Sequence, residues 1–170
     1  FMLEMVNNIP DKKEYINAIN KTRVLGGTNS LYNLFVAQDR KKVEQMTAQF
    51  GQGGTTLPDR DNYLKNDTRN TAIQEAYKKY ITALFTLVGS SADKAQQNAN
   101  TIYEFEKKLA TAQWPRVDMR DPHKTYNKFL VADFSKTTPG FNWAEILAQL
   151  NVKGEDSILV NNPSFFKAAD

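Results

Sequence analysis

The sequence contains no cysteine in its 170 residues and a single histidine, His123. The first absence excludes disulfide frameworks, thiolate metal sites and cysteine nucleophiles. The second leaves no pair of imidazoles for a zinc centre, and His-Glu-x-x-His, which sets two of them one helical turn apart, does not occur. His123 therefore reads as a surface or packing residue, not a ligand. No apolar run approaches the roughly 18 residues that cross a bilayer, and no signal peptide is visible, so no membrane contact is expected from this segment. Neither sign of charge dominates: 22 basic and 19 acidic side chains leave a net +3, and the longest like-charged block is Arg40-Lys41-Lys42. Nucleic-acid binding demands a concentrated basic stripe, so no nucleic-acid partner is expected.

What is present is the composition of a soluble globular protein, 41% hydrophobic and 24% charged. The length suits one domain or one lobe of something larger. The opening FMLEMVNN, with Phe1 ahead of the first methionine, and the close SFFKAAD read as the ends of an excerpt from a longer polypeptide.

The apolar pattern predicts a mainly α fold, a helical lobe with a small β-hairpin or short sheet. A helix is expected over 10–23, stopped by Gly26-Gly27. LYNLFVAQ (31–38) and VEQMTAQF (43–50) fit strands joined as a hairpin, with helical continuation of the second as the competing reading. Ile73, Tyr77, Ile81, Leu84 and Val88 recur at helical spacing up to a stop at Gly89. A second helix runs to about Gln113, with Ala95, Ala99, Ile102, Phe105, Leu109 and Ala112 on one side. Asp121-Pro122 reads as the start of a helix carrying Tyr126, Phe129 and Leu130. Asn142 caps a short helix, residues 158–160 form a brief strand, and Asn162-Pro163 opens a last helix. No internal domain boundary is expected.

The stretch GQGGTTLPDRDNYL (51–64) fails the phosphate-binding patterns: position 56 is threonine where GxGxxG needs glycine, and no Gly-Lys-Ser/Thr follows. It reads as the exit from a strand, with Asp59 capping a short helix that holds Tyr63 and Leu64. Asp59 with Asp61, and Glu104 with Glu106, lie two apart; in a helix such pairs point to different faces and cannot converge on one bond. These acids are expected to cap helices or to face solvent. No Gly-x-Ser-x-Gly elbow is present. Arg120, Asp121, Tyr126, Asn127 and Lys128 form the richest polar cluster, expected to pin a helix to its neighbours through a buried arginine and an Asn127 hydrogen bond, with contact to substrate as the competing reading.

The order LFVAQDRKK, GQGGTTLPDRDNYL, FEKKLA, MRDPHKTYNKFLVADF and FNW resembles the N-terminal region of the neprilysin and endothelin-converting-enzyme family of zinc metallopeptidases, over about Leu31 to Phe166. The matching positions are Gly53, Leu57, Pro58, Arg60, Asp61, Tyr63, Arg120, Asp121, Pro122, Tyr126, Asn127, Lys128 and Trp143. Asn62 departs from the usual tyrosine, Met119 from the usual arginine, and Thr55-Thr56 from the usual pair.

The resemblance implies a zinc endopeptidase whose two helical lobes enclose a cavity. This chain would be most of the cavity-capping lobe, limiting substrates to peptides, inactive alone and partnered by the C-terminal catalytic lobe that carries the zinc. No catalytic or metal residue is transferred to any position here. The family implies an extracytoplasmic setting, periplasmic, secreted or membrane-anchored, and the lack of cysteine fits a bacterial member. Asn20 and Asn66 stand in glycosylation patterns that matter only in a eukaryotic secretory route. The competing expectation is a free-standing helical module that binds a protein or peptide without catalysis. A reading frame that continues to His-Glu-x-x-His decides for the peptidase, and a stop codon after Asp170 for the module.

Overall fold

The computed structural model describes residues 2–27 and 31–170. The fold is mainly helical with a short sheet, as the apolar pattern requires. Helices α1 (Met2–Asn7) and α2 (Lys12–Val24) come first. Asp11 caps α2, its carboxylate accepting the Glu14 amide at 2.9 Å. Strands β1 (Tyr32–Asp39) and β2 (Lys42–Gln52) then form the expected antiparallel hairpin, with Tyr32 opposite Gln52 and Val36 opposite Ala48. The chain divides into two compact units, residues 54–113 forming one and the flanking segments the other. The crossing points are Gly53–Gly54 and Gln113–Trp114, so the glycine stretch lies at a division the sequence alone does not announce.

The inserted unit holds the one-turn helix α3 (Asp61–Leu64), α4 (Thr68–Leu87) and α5 (Ala92–Ala112). Asp67 caps α4, and Gly89, at φ +94°, ends it in a conformation that side-chain-bearing residues resist. Its core is Tyr63, Tyr77, Ile81, Ala99, Tyr103 and Ala110. The expected face of α5 is rotated at its centre: Tyr103 and Glu106 are buried while Phe105 is exposed. Hydrogen-bonding capacity inside the unit, described below, is what draws the carboxyl inward.

The flanking unit continues with α6 (Arg116–Met119), β3 (Lys128–Leu130), α7 (Val131–Thr137), α8 (Trp143–Gln149), β4 (Ser157–Val160) and α9 (Pro163–Ala169). Sheet order is β1-β2-β4-β3, with β2 and β4 parallel and the other neighbours antiparallel. The helix expected from Asp121 is not formed. Asp121 does cap free amides, accepting from His123 at 2.8 Å and Lys124 at 3.2 Å, but the segment turns, pairs as β3 and becomes helical only at Val131. Pairing of 128–130 with β4 wins because it satisfies backbone groups along an otherwise open sheet edge. On one side of the sheet Tyr32, Phe50, Phe134, Phe141, Trp143 and Phe166 form a fully buried aromatic cluster. Trp143 stacks on Phe141 at 5.0 Å and donates its indole N–H to Thr138 at 2.9 Å.

Candidate functional site

Each unit is organised around one buried carboxyl, and the sequence motifs supply its partners. In the inserted unit Glu106 of α5 is 7% exposed. Its Oε1 accepts from Thr56 at 2.8 Å, and its Oε2 from Tyr63 at 2.7 Å and Tyr77 at 2.8 Å. The Tyr63 oxygen in turn accepts the Leu57 amide at 2.8 Å, which fixes the chain just before Pro58. Burial raises the phenol of Tyr63, and the bond to Glu106 raises it further. Burial pushes Tyr77 up to about 12. Glu106, expected at the solvated face, is thus a central acceptor. A buried acid is tolerable only when donors converge on it, and three hydroxyls from positions 56, 63 and 77 converge through tertiary folding alone.

Around this centre the motif residues have local tasks. The Asp59 carboxylate accepts the Asp61 amide at 2.9 Å just ahead of α3, whose N-cap position is Arg60 and not the expected Asp59. Asp61 pairs with exposed Lys65 at 2.8 Å. Asn62, the departure from the family tyrosine, receives the Asp59 amide and donates to Asn70. Arg60 stands just before α3, and its buried Nε has no partner among the described residues.

In the flanking unit the centre is Asp39, fully buried at the end of β1. It accepts the Lys41 amide at 2.8 Å, the Tyr126 hydroxyl at 2.9 Å and the Lys128 ammonium at 2.9 Å. The Lys41 amide, with Lys128 and Tyr126, holds the carboxyl well below the usual carboxylate range. The bond to Asp39 raises Lys128 in return. Lys41 also lies over the Tyr126 ring at 4.2 Å. Asn127 does have the specific hydrogen-bond task expected of it, though not in a helix. Its amide donates to Lys124 O at 2.8 Å and Val160 O at 3.0 Å, while its own carbonyl accepts the Val160 amide. The arginine that pins this segment is Arg40, donating twice to Thr125; Arg120 and Pro122 are exposed.

Gly53 and Gly54 earn their identity differently. A Cβ on Gly53 would lie 3.0 Å from the Tyr32 Cα, and Gly54 sits at φ +81°. Gln52, which no motif flagged, holds Trp114 by two hydrogen bonds, 2.7 and 3.0 Å, and so ties the chain's departure from the flanking unit to its return. Asn20 is fully buried and donates to Gln149, so its glycosylation pattern is inaccessible, whereas Asn66 is exposed.

Both carboxyls are engaged by three or more protein donors, as structural acceptors are. Among the described residues no group of three or more metal-ligating side chains is placed to hold an ion, and His123 is exposed. The residues present do not fit a zinc centre.

The family model described as "Peptidase family M13" matches residues 2–170. The chain belongs to peptidase family M13. An endothelin-converting enzyme homolog of Locusta migratoria is 34% identical over 113 residues, covering 66% of this chain and 15% of the relative. Neprilysin-3 of Drosophila melanogaster is 27% identical over 145 residues, 82% of this chain and 18% of the relative. Among solved structures, the zinc metalloprotease ZMP1 of Mycobacterium tuberculosis, in complex with an inhibitor, shares the fold at a TM-score of 0.89 and 26% identity. The match covers 99% of this M13 chain and 26% of ZMP1. The chain thus spans under a fifth of these two curated relatives and about a quarter of the solved one. No helix among the described residues is long and apolar enough to cross a membrane.

Proposed function

We propose that this chain is a cavity-capping region of a zinc-dependent endopeptidase that hydrolyses peptides. The observation that carries the reading is the match of 99% of the chain, at a TM-score of 0.89, to one quarter of a solved zinc metalloprotease. Zinc and the catalytic groups belong to the polypeptide outside residues 1–170, in a catalytic lobe that is this region's principal partner. The Glu106 and Asp39 centres, each engaged by several donors, support a rigid wall, because a frame that limits the size of entering peptides must hold its shape. The motif residues Gly53, Leu57, Pro58, Arg60, Asp61, Tyr63, Arg120, Asp121, Pro122, Tyr126, Asn127, Lys128 and Trp143 serve that frame and not the chemistry. The setting is extracytoplasmic, in a bacterium.

The test compares the isolated chain with the whole encoded protein, using a quenched fluorescent peptide and elemental analysis after dialysis. The expected result is chelator-sensitive hydrolysis and one equivalent of zinc in the whole protein, and neither in the isolated chain. Hydrolysis by the isolated chain overturns the capping role; a whole protein without zinc or hydrolysis overturns the peptidase reading.

A further inference from the structure

The apolar stripe of α4 outlasts the core beneath it. Tyr77 and Ile81, at the helix centre, are 8% and 5% exposed. The same stripe continues at steps of three and four to Leu84, 43% exposed, and Val88, 76% exposed, with Leu87 beside it at 83%. Gly89 and the short link to α5 fold the two helices back on each other, and the buried positions in the first half of α5 are Ala95 and Ala99. Methyl groups let the helices approach but cannot cover leucine and valine side chains. The result is an open groove of about 490 Å³ walled by Ile81, Leu84, Phe85, Val88 and Ile102.

Two features decide what fits it. Glu106 and Tyr77 also line the groove, but their polar atoms are already bonded to each other and to Thr56 and Tyr63. The exposed Tyr80 is the one lining side chain whose polar group lies outside this network, and a single phenol is too little to orient a small ligand or a peptide terminus, for which binding pockets ordinarily supply several convergent groups. Apolar exposure on this scale calls for cover that is always in place, since a passing substrate would leave it in water most of the time. The solved relative contains this fold within a chain nearly four times as long.

We propose that the groove between α4 and α5 is the seat of an apolar helical face contributed in cis by the polypeptide outside residues 1–170. The inserted helix pair is then completed as a three-helix arrangement, ridges into grooves. This inference rests on the reading that the chain is a region of a longer peptidase.

The test places the photo-cross-linking residue p-benzoylphenylalanine at Leu84, and separately at Leu87, in the whole encoded protein. Far-ultraviolet circular dichroism checks that each variant folds. Irradiation, proteolysis and mass spectrometry should recover a cross-link, on a monomeric band, to a peptide outside residues 1–170. The same probe at exposed Lys108 should lack that cross-link. A covalent dimer, a cross-link to added substrate peptide, a cross-link only within residues 1–170, or none at either position overturns the proposal. Peptide hydrolysis is assayed on the same preparations. Activity without the cross-link rejects this interface and leaves the peptidase reading standing. The cross-link without activity does the reverse.

Discussion

Asp39 and Glu106 are the same kind of group buried in two different ways. Asp39 is met by a cation, a phenol and a backbone amide, and Lys128 keeps 28% of its side chain in water. Glu106 is met by three hydroxyls and no cation. One centre is an ion pair reinforced by hydrogen bonds, and the other is a neutral-donor network. Removing the first carboxyl leaves a cation that already reaches solvent, one phenol and one amide. Removing the second takes the shared acceptor from Thr56, Tyr63 and Tyr77 together.

That contrast orders the expected effects. Glu106→Ala strands three hydroxyls and opens a void, and should lower stability by about 3 kcal/mol or more, read from urea unfolding by circular dichroism. A cost no greater than that of the Asp39 variant would erase the distinction. Asp39→Asn keeps the shape and part of the acceptor set while Lys128 turns to water; a loss of about 1–2 kcal/mol is expected in the same assay.

The smallest effects are in pH, and they fall at opposite ends. Asp39 titrates lower in the folded chain than the ordinary value of about 4, so its contribution is complete above about pH 4 and is lost as pH falls toward the folded value. Tyr77 is pushed up to about 12, so its contribution is complete below the ordinary tyrosine value of about 10 and disappears as pH rises through about 12. Unfolding midpoints against pH should show the acid limb flattened by Asp39→Asn and untouched by Tyr77→Phe. Both variants alter the alkaline limb, because Asp39 also holds Lys128 above its ordinary value, and burial together with Asp39 does the same to Tyr126. An acid limb flattened by Tyr77→Phe would mean that the two centres are not independent.

The hairpin, α2, α4, α8 and α9 were legible because each rests on local signals: strand-forming content in 31–38 and alternation in 43–50, the stop at Gly26-Gly27, apolar recurrence from Ile73 to Val88, the cap at Asn142, and Pro163 at a first helical position. The motifs LPDRDNY, EKKLA and RDPHKTYNK were legible as a family order, and that order proves to be a set of spatial pairings. Tyr63 answers Glu106, and Tyr126 with Lys128 answers Asp39. What failed were the positions whose state depends on distant donors. Glu106 looked solvated by its spacing from Glu104, and Arg120 took the role that Arg40 performs. The segment after Asp121 carried a sound cap but was claimed by the sheet edge beside β4.

By itself the sequence determined the helical class, the hairpin, the absence of a two-imidazole metal site and the family. Tertiary structure decided where the chain divides, which carboxyls lie inside, and which end of the α4 stripe stays bare. Local signals act over a turn or two of backbone, whereas burying a carboxyl depends on donors brought together across the chain, 29 residues away for Tyr77 and Glu106 and 89 for Lys128 and Asp39.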